Sequence, residues 1–183
     1  MRSSPAPRPR SAGRLRPAKR SLRWPATPSG GQDLLIETPH TGLTAVETLV
    51  YSLRLKGYRI ILAHPERSVD EDDRAVMIRL VEQGVVLQVN ADALVTRRRS
   101  AAGRLAAWLC TEGLAHAVAS DGHRADSWRP VTVLGEATAA LKGLVGEARA
   151  RWMTTGVPAA IIAGEELPEP APIAQRRRVP WLR

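Results

Sequence analysis

The sequence predicts an α/β fold of parallel strands joined by crossover helices, and three observations carry that prediction. Short apolar runs recur near 33–37, 59–63, 85–89 and 114–119. Each is followed by a polar tip and then by a stretch whose apolar residues recur at helical spacing. Gly57, Gly84 and Gly113 stand where a helix must stop before the next strand begins. Strands that alternate with amphipathic helices are the pattern of βα units. A parallel neighbour is reached only through a long crossover, and crossovers of one hand bring every strand's C-terminal end to the same edge.

Taken in order, Asp33-Leu-Leu-Ile-Glu37 is the first strand. Leu43, Val46, Leu49, Val50 and Leu53 then mark a helix that Gly57 ends. Arg59-Ile-Ile-Leu-Ala63 is the second strand and runs into His64-Pro65-Glu66-Arg67. The acids of Asp70-Glu-Asp-Asp73 suit the positive end of a following helix built on Val76, Ile78, Leu80 and Val81. Val85-Val-Leu-Gln-Val89 is the third strand, closed by Asn90, and a helix is predicted over 100–112. Leu114-Ala-His-Ala-Val-Ala119 is the fourth and leads to Ser120-Asp121-Gly122-His123. Helices are predicted near 131–142, 144–154 and 158–163, ahead of a Pro-rich basic end.

Charge divides unevenly. Residues 1–30 hold eight Arg or Lys and no acid, and residues 171–183 hold four Arg and no acid. The middle carries 15 basic and 18 acidic residues, a net charge of −3, so the formal +9 belongs to the two ends. The body therefore lacks the basic balance of a nucleic-acid or membrane-surface protein. A binding protein that uses its basic ends on nucleic acid ranks last among the readings, because those ends form no recognisable nucleic-acid module. Cys110 is alone, which excludes an internal disulfide framework and fits a reducing compartment. No apolar run reaches membrane-spanning length. The Pro-, Arg- and Ser-rich start reads as a disordered tail.

The topology should gather Glu37, His64, Asn90, Asp121 and His123 on one rim, where such folds place their chemistry. Singly, each has a duller reading. Glu37 could be the first solvated residue beyond a buried strand, and His64 a turn residue. Asn90 could be a helix cap. Asp121-Gly122 could be a turn in which Gly122 supplies the positive φ. Together, a carboxylate, an imidazole and an Asp-x-His pair form a mixed N/O set suited to zinc, manganese or iron. That set points to metal-assisted hydrolysis. Arg67 and Arg129 lie on loops above the same rim and match phosphate oxygens, against the competing reading of salt bridges to Glu66 or Asp126. His40 reads as an exposed loop residue, His116 as a packed histidine behind the ligands, Cys110 as core and Arg97-Arg98-Arg99 as a solvated loop.

The motifs LLIETP, GYRIILAHPER, GVVLQVNADAL, HAVASDGHR with Arg129-Pro130, and GVPAAIIAGEELP resemble, in order and spacing, those of the polymerase-and-histidinol-phosphatase (PHP) superfamily. Within it they resemble the CpsB/CapC manganese-dependent protein-tyrosine phosphatases. The resemblance runs from about Leu34 to Leu167 and implies a distorted (β/α)7 barrel with a metal centre on its C-terminal rim. It implies that Glu37, His64, Asp121 and His123 bind metal, and that Arg67 and Arg129 bind phosphate and support activity. It also implies divalent ions, manganese foremost with iron or zinc as alternatives, and a phosphotyrosine protein substrate. The partner by resemblance is a bacterial tyrosine kinase controlling exported polysaccharide, and the setting is the cytoplasm.

The sequence departs from that pattern at its start. Such phosphatases open with an Asp-x-His-x-His segment, whereas no His-x-His occurs here and the first histidine is His40. The expected layout is thus a disordered tail over 1–31, the C-terminal part of a PHP-type domain over 32–167 and a flexible basic tail over 168–183. An incomplete barrel short of some ligands makes a catalytically impaired remnant the alternative to an active phosphatase. A histidinol-phosphatase-like enzyme is the other alternative on the same fold.

Overall fold

A computed structural model of the chain describes residues 32–39, 43–68, 73–122 and 131–174. The tail assigned to 1–31, His40, His123, Arg129 and the last nine residues lie outside the described residues. The elements run β1 (Asp33–Glu37), α1 (Thr44–Leu55), β2 (Arg59–Ala63), a 3₁₀ turn (Pro65–Arg67), α2 (Asp73–Glu82), β3 (Val86–Asn90) and α3 (Ala91–Leu94). They continue with α4 (Ala101–Thr111), β4 (Ala115–Ala119), α5 (Val133–Val145), α6 (Glu147–Arg151), a π turn (Trp152–Gly156) and α7 (Val157–Ala163). All four predicted strands are present, and all pair parallel in the order β1-β2-β3-β4. Sequential order without reversal is how a barrel wall is laid down, whereas a doubly wound sheet reverses at a switch point.

The apolar residues of β2, β3 and β4 are buried on both faces, as a helix-covered parallel sheet requires, whereas β1 at the end of the strand order is partly open, with Leu35 63% exposed. Every residue of β2 is buried, and Val86, Leu87 and Val89 of β3 are fully so. Around them pack Leu43 and Val50 of the first helical segment, Met77 and Leu80 of α2, Leu105 and Leu109 of α4, and Leu141 of α5. Cys110 is wholly buried in this core, and burial pushes its thiol up to about 12, an inert packing residue as expected.

The register climbs toward β4. Glu37 pairs with Ala63, Ala63 with Gln88, and Asn90 with Ala119. Between β3 and β4 the pairing skips a residue: Leu87 faces Ala115 while Gln88 faces Ala117. His116 is the extra residue of this bulge, so the side-chain alternation of a regular strand does not hold there. Its ring compensates for the disrupted ladder, because Leu87 N–H donates to His116 Nδ1 at 3.2 Å. The ring also lies 6.0 Å from that of Trp152. Burial, reinforced by the nearby Arg149 charge, lowers the His116 pKa to about 3 from its ordinary 6.5.

That shift sets an acid sensitivity. Above pH 6.5 His116 is neutral whether the chain is folded or not. As pH falls below that value the unfolded chain takes up a proton that the folded one refuses until about pH 3, so stability declines across that window. By pH 5 the loss relative to pH 8 is about 2 kcal/mol. His116→Gln keeps an acceptor for Leu87 N–H without a titrating group. Urea unfolding at the two pH values should show the variant losing less than the wild type by that amount, and equal losses would refute the assignment.

Helix α4 begins where Ser100 Oγ accepts Gly103 N–H at 3.1 Å. Gly103 itself lies hard against the preceding turn: a Cβ there would stand 2.2 Å from Arg97 O and 2.5 Å from Arg98 Cα. Glycine to alanine inside a helix ordinarily stabilises by about 1 kcal/mol. Here Gly103→Ala is expected to destabilise by about 1–3 kcal/mol, because backbone must move to admit the methyl. A raised melting temperature for that variant would contradict the close approach.

Sequence reasoning separated the helix near 144–154 from the one near 158–163, and the structure joins them. The break falls earlier, at Gly146, whose φ of 88° ends α5. From Glu147 the chain stays helical to Ala163 through the π turn, where Val157 N–H reaches back to Trp152 O. Pro158 explains the wide turn, since it lacks an N–H and its ring would crowd the carbonyl four residues back.

The stretch after α7 also differs from its predicted tail character. Residues 168–174, placed in the flexible end on composition, run along the body and are held there by backbone acceptors and donors. Trp152 Nε1–H donates to Pro168 O at 2.9 Å, Arg149 to Ala171 O at 3.3 Å, and Ala174 N–H to Val145 O at 2.9 Å. Ile173 packs on the core. A strap without internal periodicity, fixed by main-chain bonds, carries no signal that a composition scan can detect.

Candidate functional site

The site is assembled at the C-terminal ends of β1, β2, β3 and β4. Glu37 closes β1 with its side chain 77% exposed, free to reach over the rim. His64 follows β2 directly. It holds the sheet through its own N–H, which donates to Gln88 O at 2.7 Å, and then turns sharply into the left-handed region at φ 41°. Asp121, two residues past β4, takes φ 51°. These two are the non-glycine residues with positive φ among those described, and strained backbone of this kind clusters at functional sites. The turn reading that gave the positive φ to Gly122 is therefore corrected, because Asp121 carries it. Gly122 is needed for space instead, since a Cβ there would stand 2.7 Å from Val131 Cγ1.

Arg67 ties the rim together. Its Nη2 donates to Asp121 Oδ2 at 2.7 Å, and its Nη1 lies 3.4 Å from His64 Nε2. His64 Nε2 stands 3.9 Å from Glu37 Oε1 on the other side. The competing reading in which Arg67 pairs with neighbouring Glu66 is thereby replaced by a link across two strands. In a 3₁₀ turn successive residues point about 120° apart, so Glu66 and Arg67 leave the Pro65–Arg67 turn in different directions. Arg67 goes to the rim and Glu66 goes inward.

Glu66 is the residue that sequence reasoning missed. It is 1% exposed, and its Oε1 accepts Asn90 N–H at 2.9 Å while Oε2 has no hydrogen-bond partner. Burial raises its pKa to about 7, against the opposing pull of the backbone donors. Asn90 is the helix cap that sequence reasoning weighed, with Oδ1 accepting Asp92 N–H at 3.1 Å. It is more than that, for its Nδ2 donates to Asp121 Oδ2 at 3.1 Å. The chain Glu66–Asn90–Asp121–Arg67 thus runs from a buried carboxylate to the half-buried guanidinium at the rim. Its only sequence signal was the acid between Pro65 and Arg67, which looks like any solvated charge.

The electrostatics favour a neutral imidazole. Burial lowers the His64 pKa, and the Arg67 charge lowers it further against the weaker pull of Asp121 and Glu37. Its buried Nδ1 has no hydrogen-bond partner, and Nε2 is the nitrogen that faces Glu37 and Arg67. Among the described residues no three His, Cys, Asp or Glu side chains come together tightly enough to hold an ion. Glu37 faces His64, Asp121 is engaged by Arg67 and Asn90, and His123 and Arg129 lie outside the described residues. The donor chemistry nonetheless fits a divalent cation, with carboxylates and a neutral imidazole at adjacent strand ends and a guanidinium on Asp121.

The sequence profile described as "Capsular polysaccharide synthesis, CpsB/CapC" matches residues 26–163. The chain belongs to the CpsB/CapC family. That match covers every CpsB/CapC-type site residue inferred from the motifs, from Glu37 to Arg129. The tyrosine-protein phosphatase YwqE of Bacillus subtilis is 34% identical over 92 residues, 49% of this chain and 36% of YwqE. A solved chain from the structures of YwqE from Bacillus subtilis and CpsB from Streptococcus pneumoniae superposes with a TM-score of 0.65 at 27% identity. Those structures are described as unique metal-dependent tyrosine phosphatases, and the match covers 79% of this chain and 59% of that one. The chain thus spans about a third of the curated relative and under two thirds of the solved one. The parallel sheet and this likeness bear out the α/β, PHP-type fold.

Proposed function

We propose that this chain carries the phosphate-binding and metal-binding rim of a phosphotyrosine phosphatase. The observation that supports this most is the placement of Arg67, which spans from the imidazole after β2 to the carboxylate after β4. Glu37, His64, Asp121 and His123 would hold divalent cations, manganese foremost. A bound ion supplies a Lewis acid that lowers the pKa of water and offsets charge on phosphate oxygens.

The side chains do the rest. A guanidinium has five N–H donors, so Arg67 can keep Nη2 on Asp121 while presenting the others to a phosphate. Arg129 would close on the same phosphate, and the two cations balance charge that grows on its oxygens. Neutral His64 adds no proton to compete for the ligand role. Asn90 fixes the Asp121 carboxylate, and Glu66 fixes Asn90, so the acceptor that aims Arg67 is itself held. The substrate would be a tyrosine-phosphorylated protein, with a tyrosine kinase of polysaccharide export as the partner and the cytoplasm as the setting.

The test is phosphate release from p-nitrophenyl phosphate and from a phosphotyrosine peptide by folded protein with manganese, and its loss after chelation. No release with manganese, iron or zinc would defeat the proposal. Metal quantification on Glu37→Gln and His64→Ala separates the ligand assignment from the activity, because bound metal untouched by both changes would sink the assignment alone.

A further inference from the structure

Three consecutive arginines stand beside the proposed phosphate site, and nothing in the reaction uses them. Arg97, Arg98 and Arg99 are exposed, and among the described residues none of them pairs with a carboxylate. Arg97 lines the same cleft as Arg67, Asn90 and Asp92. A solvated run of charge usually sits on a loose loop, but this one sits on a braced turn. Arg97 N–H donates to Asp92 O at 3.0 Å, and Arg97 O accepts both Ser100 N–H at 2.8 Å and Ser100 Oγ–H at 2.7 Å. Arg104, one turn into α4, donates to Arg99 O at 2.7 Å. Gly103 lets α4 press directly on the Arg97–Arg98 backbone. The amino end of α4 adds its partial positive charge at the same place.

The body between the basic ends carries a net charge of −3, so Arg97 at the cleft, followed on the same exposed turn by Arg98 and Arg99, is a local concentration of positive charge. We infer that the Arg97–Arg99 turn is a docking surface for anionic side chains flanking the phosphotyrosine, so that the chain selects acidic peptides. This inference rests on the phosphatase reading and adds the substrate class. The shared chemistry is a carboxylate or a second phosphoryl group within reach of the cleft, each matched by a guanidinium fork. Exposed charge pairs are individually weak, so three acting together should give a preference of about tenfold that salt erodes.

The test is fluorescence anisotropy with non-hydrolysable phosphonate analogues of phosphotyrosine, flanked by glutamates, by a second phosphonate, or by glutamines. Wild-type protein should bind the glutamate peptide about tenfold more tightly than the glutamine peptide, with the gap closing in high salt. Comparison of the glutamate and double-phosphonate arms tells which anion the turn reads better. The Arg97→Gln/Arg98→Gln/Arg99→Gln variant should lose the preference, and the corresponding triple change to lysine should keep most of it. Equal binding of glutamate and glutamine peptides by the wild type, or a preference that survives the glutamine variant, would overturn the inference. Tighter binding of a random-sequence oligodeoxynucleotide, with the same dependence on the three arginines, would overturn the peptide assignment. Hydrolysis of p-nitrophenyl phosphate, which has no flanking groups, reports on the phosphatase reading separately.

Discussion

Arg67→Ala is expected to lower kcat/KM for p-nitrophenyl phosphate by about two to three orders of magnitude, the scale seen when one preorganised donor to a developing charge is removed. The size follows from its position. Arg67 reaches Asp121 after β4 and lies against His64 after β2, so its loss removes a phosphate donor and frees the Asp121 carboxylate from one of its donors. Arg67→Lys should recover little, because an ammonium cannot present paired donors to Asp121 and a phosphate at once. Steady-state kinetics on both variants, with melting temperature as a control for folding, decides the matter. A loss below about tenfold in Arg67→Ala would remove Arg67 from the proposed machinery.

The largest effect on stability should come from the opposite end of the sheet. Arg149 is 4% exposed and, among the described residues, has no carboxylate partner. It donates to Gly113 O at 3.2 Å, to Ala115 O at 3.3 Å and to Ala171 O at 3.3 Å, and its guanidinium lies 4.0 Å over the Trp152 ring. Burial lowers its pKa to about 10, which leaves it charged at neutral pH. Arg149→Ala should cost about 3 kcal/mol, since it strips donors from three carbonyls and empties the space over Trp152. Arg149→Lys should lie between, keeping the charge and losing the fork. Urea unfolding measures both, and a cost below about 1 kcal/mol for the alanine variant would mean that water replaces the guanidinium freely.

Much of this architecture is written in local pattern. Four apolar runs became the four strands, and Gly57, Gly84 and Gly113 each adopt a positive φ between helix and strand. The order of those units then dictated that Glu37, His64, Asn90 and Asp121 share an edge. What was not legible depends on where a side chain turns. Glu66 and Arg67 are neighbours in sequence, yet one is buried and the other reaches a strand two places away. Arg149 reads as a solvated helical cation until the strap over 168–174 covers it. The π turn follows from Pro158, but a proline at that position reads at first as a stop. His116 illustrates the limit of alternation, because the bulge that it occupies is invisible until β3 and β4 are aligned.

The climbing register between strands has a consequence for the shape of the rim. Counted along the paired residues, His64 lies one step beyond Glu37, Asn90 two and Asp121 four. In a flat sheet, at about 3.3 Å per residue, Asp121 would overshoot Glu37 by about 13 Å. Coiling with tilted strands cancels such a stagger, just as a helical ramp brings its successive steps under one roof. The rim is therefore a measure of curvature. The bulge at His116 absorbs one residue of β4 without a step of rise, so a regular ladder continued from Leu87–Ala115 would carry Asp121 one residue higher above Arg67. The buried histidine at the middle of the strand thereby takes up one residue of the stagger below the Asp121 carboxylate.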